Sequence, residues 1–308
     1  MPEFEPAYMS LYRSGELGKR IKLALSLQEH CALCPHSCGM NRFEGEKGLC
    51  RSGVAPLVSS FSAHFGEESA LVGEGGSGAI FFTHCTMRCV YCQNYPISQQ
   101  GDGNPYSVNQ LADMFLTLEK RGCENINFVT PTHFVPQILK ALEIALPKGF
   151  HLPLVYNTSG YERVEILKLL DGIMDIYLPD IKYANDQAAL KYSGVKDYVS
   201  HNRLALKEMF RQVGILQCDE RGVAQRGLIV RHLVLPGGLA GTEDCLKWMA
   251  REISPHIHVA LMSQYHPAFK APAIPEIARR VTVAEYLPFA RLHQKLGFQG
   301  WIQSLWQP

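Results

Sequence analysis

Three cysteines in one short stretch dominate the chemistry this chain can do: Cys85, Cys89 and Cys92, spaced C-x3-C-x2-C within Phe81-Phe82-Thr83-His84-Cys85-Thr86-Met87-Arg88-Cys89-Val90-Tyr91-Cys92-Gln93-Asn94. Three thiolates hold three irons of a [4Fe–4S] cube and leave the fourth iron open. An open iron can bind a substrate or a cofactor, where a fourth cysteine would make the cube a plain electron carrier. A structural zinc site is the competing reading, but such sites take four protein ligands, and the next cysteine, Cys123, is distant.

A second group, Cys31-x2-Cys34-x3-Cys38-x11-Cys50, supplies four thiolates. Four is a closed shell for either zinc or an auxiliary [4Fe–4S] cluster, and the spacing does not decide between them. Pro35, Gly39, Gly45, Gly48 and Gly53 permit the tight turns that would gather the sulfurs. The remaining cysteines, Cys123, Cys218 and Cys245, are scattered and read as small buried hydrophobes.

The text around these groups must position them. Apolar residues at Leu17, Ile21, Ala24 and Leu25 predict a helix over 14–28, followed by a cysteine-rich knuckle over 31–53 and a loop-rich stretch over 54–78. From residue 79, strand and helix alternate. Strands are expected at Ala79–His84, Ile126–Thr130, Leu152–Asn157, Ile173–Leu178, Leu228–Leu235 and His258–Met262. Helices are expected at Ser107–Lys120, Val135–Leu146, Arg163–Leu170, Val199–Gly214, Thr242–Ile253 and Val283–Leu296. Such alternation implies parallel βαβ units and an α/β fold, a partial (β/α)6 TIM-like barrel. Active-site residues of such barrels lie on the loops after the strands, which is where the C-x3-C-x2-C loop falls. The division is a helix and knuckle over 1–53 and the partial barrel with its C-terminal helix over 54–308. Gly73-x-Gly75-x-x-Gly78 matches a dinucleotide fingerprint as a string, but it precedes a strand where the fingerprint should follow one.

The chain has 308 residues, 46% hydrophobic and 19% charged, with net charge +1, which suits a globular protein with a sizeable core. No Lys/Arg cluster in the sequence marks a nucleic-acid face, and no apolar run reaches the ~20 residues a membrane span needs. The segment Met1–His30 has no signal-peptide core, so a cytoplasmic protein is expected, with no membrane or nucleic-acid partner.

Polar groups recur at successive strand ends: Thr130-Pro131-Thr132-His133, Asn157-Thr158-Ser159-Gly160, Asp180-x-Lys182-Tyr183 and Ser263-Gln264-Tyr265-His266, with Arg231-His232 inside the fifth strand. Their recurrence at one end of the barrel marks a pocket, with His133 and His266 as its histidines.

The cysteine loop, with Tyr91 before the last cysteine, resembles the signature of the radical S-adenosylmethionine (SAM) superfamily. The longer runs Cys34-Pro35-His36-Ser37-Cys38-Gly39-Met40-Asn41-Arg42, Asn125–His133, Tyr156–Tyr161, Asp175–Tyr183 and Val230–Gly237 are similar to its glycyl-radical-enzyme activase branch, among proteins named for pyruvate formate-lyase activation. The resemblance implies that Cys85, Cys89 and Cys92 hold the cube and that the open iron chelates S-adenosyl-L-methionine. Reductive cleavage then gives a 5′-deoxyadenosyl radical that abstracts hydrogen. By the same resemblance Thr130, Thr132, Asn157, Asp180, Lys182 and His266 hold the cofactor, and Arg231 lines the pocket. Residues 130–133 replace a Gly-Gly-Glu turn, and Asn157 replaces an acid. The implied partners are a reducing electron donor such as flavodoxin or ferredoxin and a protein or peptide substrate. Three functions compete: a glycyl-radical activase; a radical SAM oxidoreductase acting on another peptide, protein or small molecule, with the knuckle as auxiliary cluster or zinc site; and a non-enzymatic metal-binding adaptor.

Overall fold

The computed structural model describes residues 4–305. Residues 1–3 and 306–308, the outer ends of the two expected segments, lie outside the described residues.

The strands are β1 (Leu57–His64), β2 (Ser77–Phe82), β3 (Asn104–Pro105), β4 (Asn125–Val129), β5 (Leu154–Thr158), β6 (Ile176–Pro179), β7 (Gln217–Cys218), β8 (Ala224–Leu233), β9 (His258–Met262) and β10 (Gln299–Ile302). The helices are α1 (Tyr8–Arg13), α2 (Glu16–Ser26), α3 (Ser69–Val72), α4 (Val108–Lys120), α5 (Val135–Ala145), α6 (Val164–Leu169), α7 (Asp186–Ser193), α8 (Tyr198–Val213), α9 (Thr242–Glu252) and α10 (Val283–Lys295). All strands join one sheet in the order β10-β9-β8-β6-β5-β4-β2-β1-β3, with β7 paired to β8. The run from β2 through β4, β5, β6, β8 and β9 to β10 is parallel. The expected α/β fold is present, and its six expected strands are β2, β4, β5, β6, β8 and β9.

Three elements depart from the sequence reading. The stretch 54–78 contains β1, antiparallel to β2, and the short α3. Its serines at 59, 60 and 62 belong to an outer strand with partial exposure and hide the strand pattern. The helix expected over 14–28 is α2, preceded by α1 and a left-handed turn at Gly15. A further parallel strand, β10, follows α10.

Alternation along the strands sorts residues onto two faces. Ile126, Phe128, Leu154, Tyr156, Leu228 and Val230 lie outward in the main core under the helices. Val155, Ile176, Leu178 and Ile229 face inward and pack with Ala70 and Leu71 of α3. Trp301 of β10 donates from Nε1 to Ser69 Oγ at 3.0 Å, so the last strand reaches the connection between the first two. The sheet thus curls into an incomplete barrel with α3 inside it. Short βα connections leave every parallel strand's C-terminal end at one mouth. No helix among the described residues is long and apolar enough to cross a membrane.

Candidate active site

Past β2 the chain turns sharply. His84 takes a left-handed φ of 63°, and its N–H donates to Ile97 O at 3.0 Å. The cysteine loop that follows is pinned to the end of α7: the N–H groups of Arg88 and Val90 donate to the Ser193 and Tyr192 carbonyls, each at 2.8 Å. Each sulfur has a hydroxyl or amide partner. Met87 N–H donates to Cys85 Sγ at 3.4 Å, Ser193 Oγ to Cys89 Sγ at 3.0 Å, and Ser98 Oγ lies 3.0 Å from Cys92 Sγ. Behind Ser193, the hydroxyls of Tyr183 and Tyr91 continue the chain with two contacts of 2.6 Å.

Burial, reinforced by the neighbouring Cys89 sulfur, pushes the Cys85 thiol up to about 12. Burial pushes Cys89 up to about 11, although Lys182 and the Ser193 hydroxyl act the other way. Cys85 and Cys89, raised this far, do not ionise alone at neutral pH; coordination to a cationic centre deprotonates thiols outright. Thr83 Oγ1, His84 Nδ1 and Thr86 Oγ1, all beside Cys85, are buried without a hydrogen-bond partner. A sulfur-only donor set flanked by unspent polar atoms fits an iron–sulfur centre. His84 itself is pushed down by burial and then by the charges of Arg51, Arg88 and Lys47.

The three sulfurs open into a cleft of about 790 Å³. Its facing walls carry Thr130, Asn157, Ser159, Asp180, Lys182 and Arg231, side chains from the ends of β4, β5, β6 and β8. Neighbouring strand ends are locked together, Thr130 N–H to Asn157 O at 2.9 Å and Asp180 N–H to Thr158 O at 2.8 Å. Gly160 has φ 73°, and a Cβ there would lie 2.2 Å from the Asp180 carbonyl oxygen, so no larger residue fits this turn. From α8, Tyr198 OH accepts Lys182 N–H at 2.9 Å and donates to Ser159 O at 3.1 Å. Asn202 Nδ2 donates to the Asp180 carbonyl at 2.9 Å. Lys182 Nζ pairs with the Asp180 carboxylate. Burial opposes the lysine's charge, but Asp180 and the Cys89 sulfur outweigh it and hold the ammonium well above its ordinary range. The site therefore presents a fixed cation, a carboxylate and backbone groups opposite the sulfurs, a set that complements an amino-acid headgroup and a ribose.

Thr130 sits at φ 59°, the left-handed region that a β-branched residue rarely adopts. Thr132, His133 and His266, expected at the pocket, do not line the cleft. The short turn Thr132–Phe134 buries its side chains behind the strand ends, away from the cleft. Thr132 Oγ1 donates to Glu162 at 2.6 Å. His133 is fully buried with Nε2 2.8 Å from Thr83 O, and burial pushes it down to about 3. His266 turns toward Gln93, with Nδ1 3.2 Å from Gln93 Nε2.

Sequence reasoning missed two groups. Glu162 is fully buried behind the strand ends, and the hydroxyls of Thr132, Thr158 and Tyr156 donate to its carboxylate. Burial, against those three bonds, raises it to about 7. Its only sequence signal is an acid directly after the 157–161 turn. Glu67 and Glu68, beside α3, both hold Arg231 across the barrel mouth, Glu68 at 2.7 and 2.5 Å, and His64 Nδ1 lies 3.1 Å from Glu67. Nothing local in the sequence joins residues this far apart.

The knuckle packs against the back of the cysteine loop. Cys31 and Cys50 each lie within electrostatic reach of both Cys34 and Cys38. Burial pushes Cys34 up to about 12. A Cβ at Gly48 would stand 2.5 Å from Cys38 Sγ, so the glycine makes room for the sulfur. Arg42 is only 3% exposed. It donates to His133 O at 2.6 Å and to Cys50 Sγ at 3.6 Å. A buried guanidinium needs polar partners, and here they are one carbonyl and one knuckle sulfur, Cys50. His36 Nε2 lies 2.7 Å from Thr86 O and joins knuckle to loop. Among the described residues, no three Cys, His, Asp or Glu side chains converge on a point that one metal ion could occupy.

The model of the radical SAM superfamily matches residues 79–224, which contain the cysteine loop and three of the four strand ends on the facing walls. An uncharacterized protein of Methanocaldococcus jannaschii is 33% identical over 292 residues, 91% of this chain and 78% of the relative. A second uncharacterized protein of the same organism is 23% identical over 306 residues, 88% of this chain and 82% of that one. Both alignments are long enough to extend beyond the matched domain. Among solved structures, a radical SAM methyltransferase from Sphaerobacter thermophilus superposes with a TM-score of 0.52 at 14% identity, over 74% of this chain and 66% of that chain, a likeness of fold.

Proposed function

We propose that this chain, which belongs to the radical SAM superfamily, binds a [4Fe–4S] cluster through Cys85, Cys89 and Cys92 and S-adenosyl-L-methionine against Thr130, Asn157, Asp180 and Lys182, and takes a hydrogen atom from a protein or peptide substrate. One observation carries the reading: the three sulfurs of one loop open into the same cleft as the polar strand ends that face them. When bound, the cluster and cofactor supply one-electron cleavage of a carbon–sulfur bond and hydrogen-atom abstraction.

The chain's own residues do the positioning. Lys182, kept cationic beside Asp180, attracts a carboxylate, and Asp180 accepts from hydroxyl or ammonium donors. Tyr198 and Asn202 fix the backbone of both turns, so the polar groups are set before anything binds. Met87, Tyr91 and Tyr183 are buried against the cysteine loop and keep water from its inner side. The rim residues Gln264 and Ser304 are exposed, which leaves an entrance for an extended segment of another chain. A glycyl-radical enzyme is the protein substrate this reading puts first. A small molecule is the alternative, with Arg231 and its two glutamates as the charged wall that would meet it.

Cys31, Cys34, Cys38 and Cys50 hold a second centre in this proposal, and Arg42 balances its charge. With the chain's ten cysteines all free thiols, a reducing compartment, the cytoplasm, is the setting it fits.

The experiment is anaerobic reconstitution followed by reductant and S-adenosylmethionine. The protein should release 5′-deoxyadenosine, and Cys89→Ala should fold but release none. Wild-type cleavage by Cys89→Ala would overturn the assignment. Metal analysis of the same sample separates about eight irons per chain, two cubes, from about four plus zinc.

A further inference from the structure

Two of the three sulfurs in the cysteine loop are met by serine hydroxyls from other segments. Ser193, the last residue of α7, donates to Cys89 Sγ at 3.0 Å. Ser98, in the short helical turn Pro96–Gln100, has its Oγ 3.0 Å from Cys92 Sγ. Among the described residues, the one hydrogen bond to Cys85 Sγ comes from the Met87 amide, at 3.4 Å. A serine inside a helix commonly satisfies its hydroxyl on the carbonyl one turn back. Ser193 turns to the sulfur instead, although it is fully buried.

Each hydroxyl is backed by a donor of its own. The Gln99 side-chain amide donates to Ser98 Oγ at 3.2 Å and to Met87 O at 3.3 Å. Tyr183 OH lies 2.6 Å from Ser193 Oγ, and Tyr91 OH lies 2.6 Å from Tyr183 OH. A thiolate bound to a metal carries no proton and can only accept. That fixes the direction of both chains. Ser98, which accepts from Gln99, has its own proton left for Cys92. Ser193 gives its proton to Cys89 and accepts from Tyr183, which accepts in turn from Tyr91. Bonds aligned head to tail polarise one another, and the low dielectric of an interior strengthens them. Tyr91, Tyr183, Ser98 and Gln99 are all buried, so bulk water does not compete for these groups.

We infer that Ser193 and Ser98 are positioning residues that raise the reduction potential of the iron–sulfur centre held by Cys85, Cys89 and Cys92. Each acts through a hydrogen bond on a ligating sulfur, and Tyr183, Tyr91 and Gln99 fix which way the hydroxyl protons point. The inference rests on the proposed function, which puts that centre at these sulfurs. Reduction places one electron from an external one-electron reductant on the centre; no bond in the chain breaks, and the hydroxyl protons stay on their oxygens. The added negative charge on the sulfurs strengthens both bonds, so they favour the reduced state over the oxidised one. A higher potential makes the electron easier to load and leaves less drive for cleaving a carbon–sulfur bond. The two serines therefore set a balance between loading and cleavage.

The test reads the midpoint potential of the reconstituted holoprotein without S-adenosylmethionine, in a redox titration followed by the electron paramagnetic resonance signal of the reduced centre. Ser193→Ala should lower the equilibrium constant for reduction about tenfold, a fall of about 59 mV for one electron. Ser98→Ala should shift the potential in the same direction, and the double variant further than either. Tyr183→Phe keeps the ring and the Ser193 hydroxyl and should lower the potential by less than Ser193→Ala. Ser98→Thr keeps a hydroxyl and should keep the wild-type potential. Electron–nuclear double resonance of the reduced wild type should show proton couplings that exchange in D2O and are lost from the double variant, a signature that packing alone would not move. Should Ser193→Ala load no iron, Ser98→Ala and Tyr183→Phe carry the test. Wild-type potentials in the alanine variants overturn the inference, as do potentials that rise, and an unmoved Tyr183→Phe overturns the relay behind Ser193. The two readings fail separately. A loaded centre whose potential ignores these hydroxyls refutes the tuning alone. A loaded, reducible centre that never cleaves S-adenosylmethionine refutes the function while the potential series stands, and a wild type with no iron at the three cysteines overturns both.

Discussion

Glu162→Gln isolates the buried carboxylate behind the cofactor wall. Glu162 titrates at about 7 in the fold, raised by burial from the 4.5 of a solvated glutamate. A carboxyl whose folded value lies above its unfolded one contributes stability that is fully present below the unfolded value and is lost as pH rises through the folded one. The window is therefore pH 4.5 to about 7. Two and a half units at about 1.36 kcal/mol each give roughly 3 kcal/mol of pH-dependent stability. Glutamine keeps an acceptor oxygen for Thr132 and Thr158, turns its amide N–H toward the Tyr156 hydroxyl, and does not titrate. Asp175, raised by burial to about 7, has the same sign but is present in both proteins and cancels in the difference. Urea unfolding of wild type and Glu162→Gln at half-unit steps from pH 4.5 to 8 should show the variant gaining on the wild type by about 3 kcal/mol across that window. A stability difference that stays flat with pH would refute the buried, protonatable carboxylate and the wall built on it.

Other outcomes follow from the same geometry. Thr130→Gly should relieve the left-handed backbone at φ 59° and stabilise the fold by about 1 kcal/mol, read as a higher midpoint in thermal melts. Lys182→Met leaves Asp180 without its cation and should raise the half-saturating S-adenosylmethionine concentration at least tenfold in the 5′-deoxyadenosine assay, a loss of about 1.4 kcal/mol or more. Arg42→Met should lower metal occupancy at the knuckle, read by metal analysis, while the centre at Cys85, Cys89 and Cys92 stays loaded.

Much of this fold was legible because its signals are local. Strand–helix alternation from residue 79 needs only hydrophobic period, and the caps are written beside their helices, as in the Ser107–Gln110 capping box of α4. The cysteine loop and the wall residues Thr130, Asn157, Asp180 and Lys182 share a rule that sequence order obeys: each lies at or just past the C-terminal end of a parallel strand. What sequence could not show depends on how elements meet. Thr132 and His133 follow the same strand as Thr130, yet one more turn of backbone carries them behind the wall. Ser193 supports Cys89 only because α7, eight residues with weak amphipathicity, folds back under the loop. The grip of Glu67 and Glu68 on Arg231 exists only once the sheet curls.

That curl has a consequence for how the protein matures. One flank of the cleft, Trp301 to Ser304, belongs to the last strand and the residues just after it. During synthesis every cysteine and every wall residue through Arg231 emerges before this flank does. Its bond from Trp301 to Ser69 joins the last strand to the connection between the first two, so this side of the chamber is completed by the end of the chain. A chain ending at Gly297 would keep every cysteine and every wall residue through Arg231 yet lack β10, and its cleft would have no flank on that side.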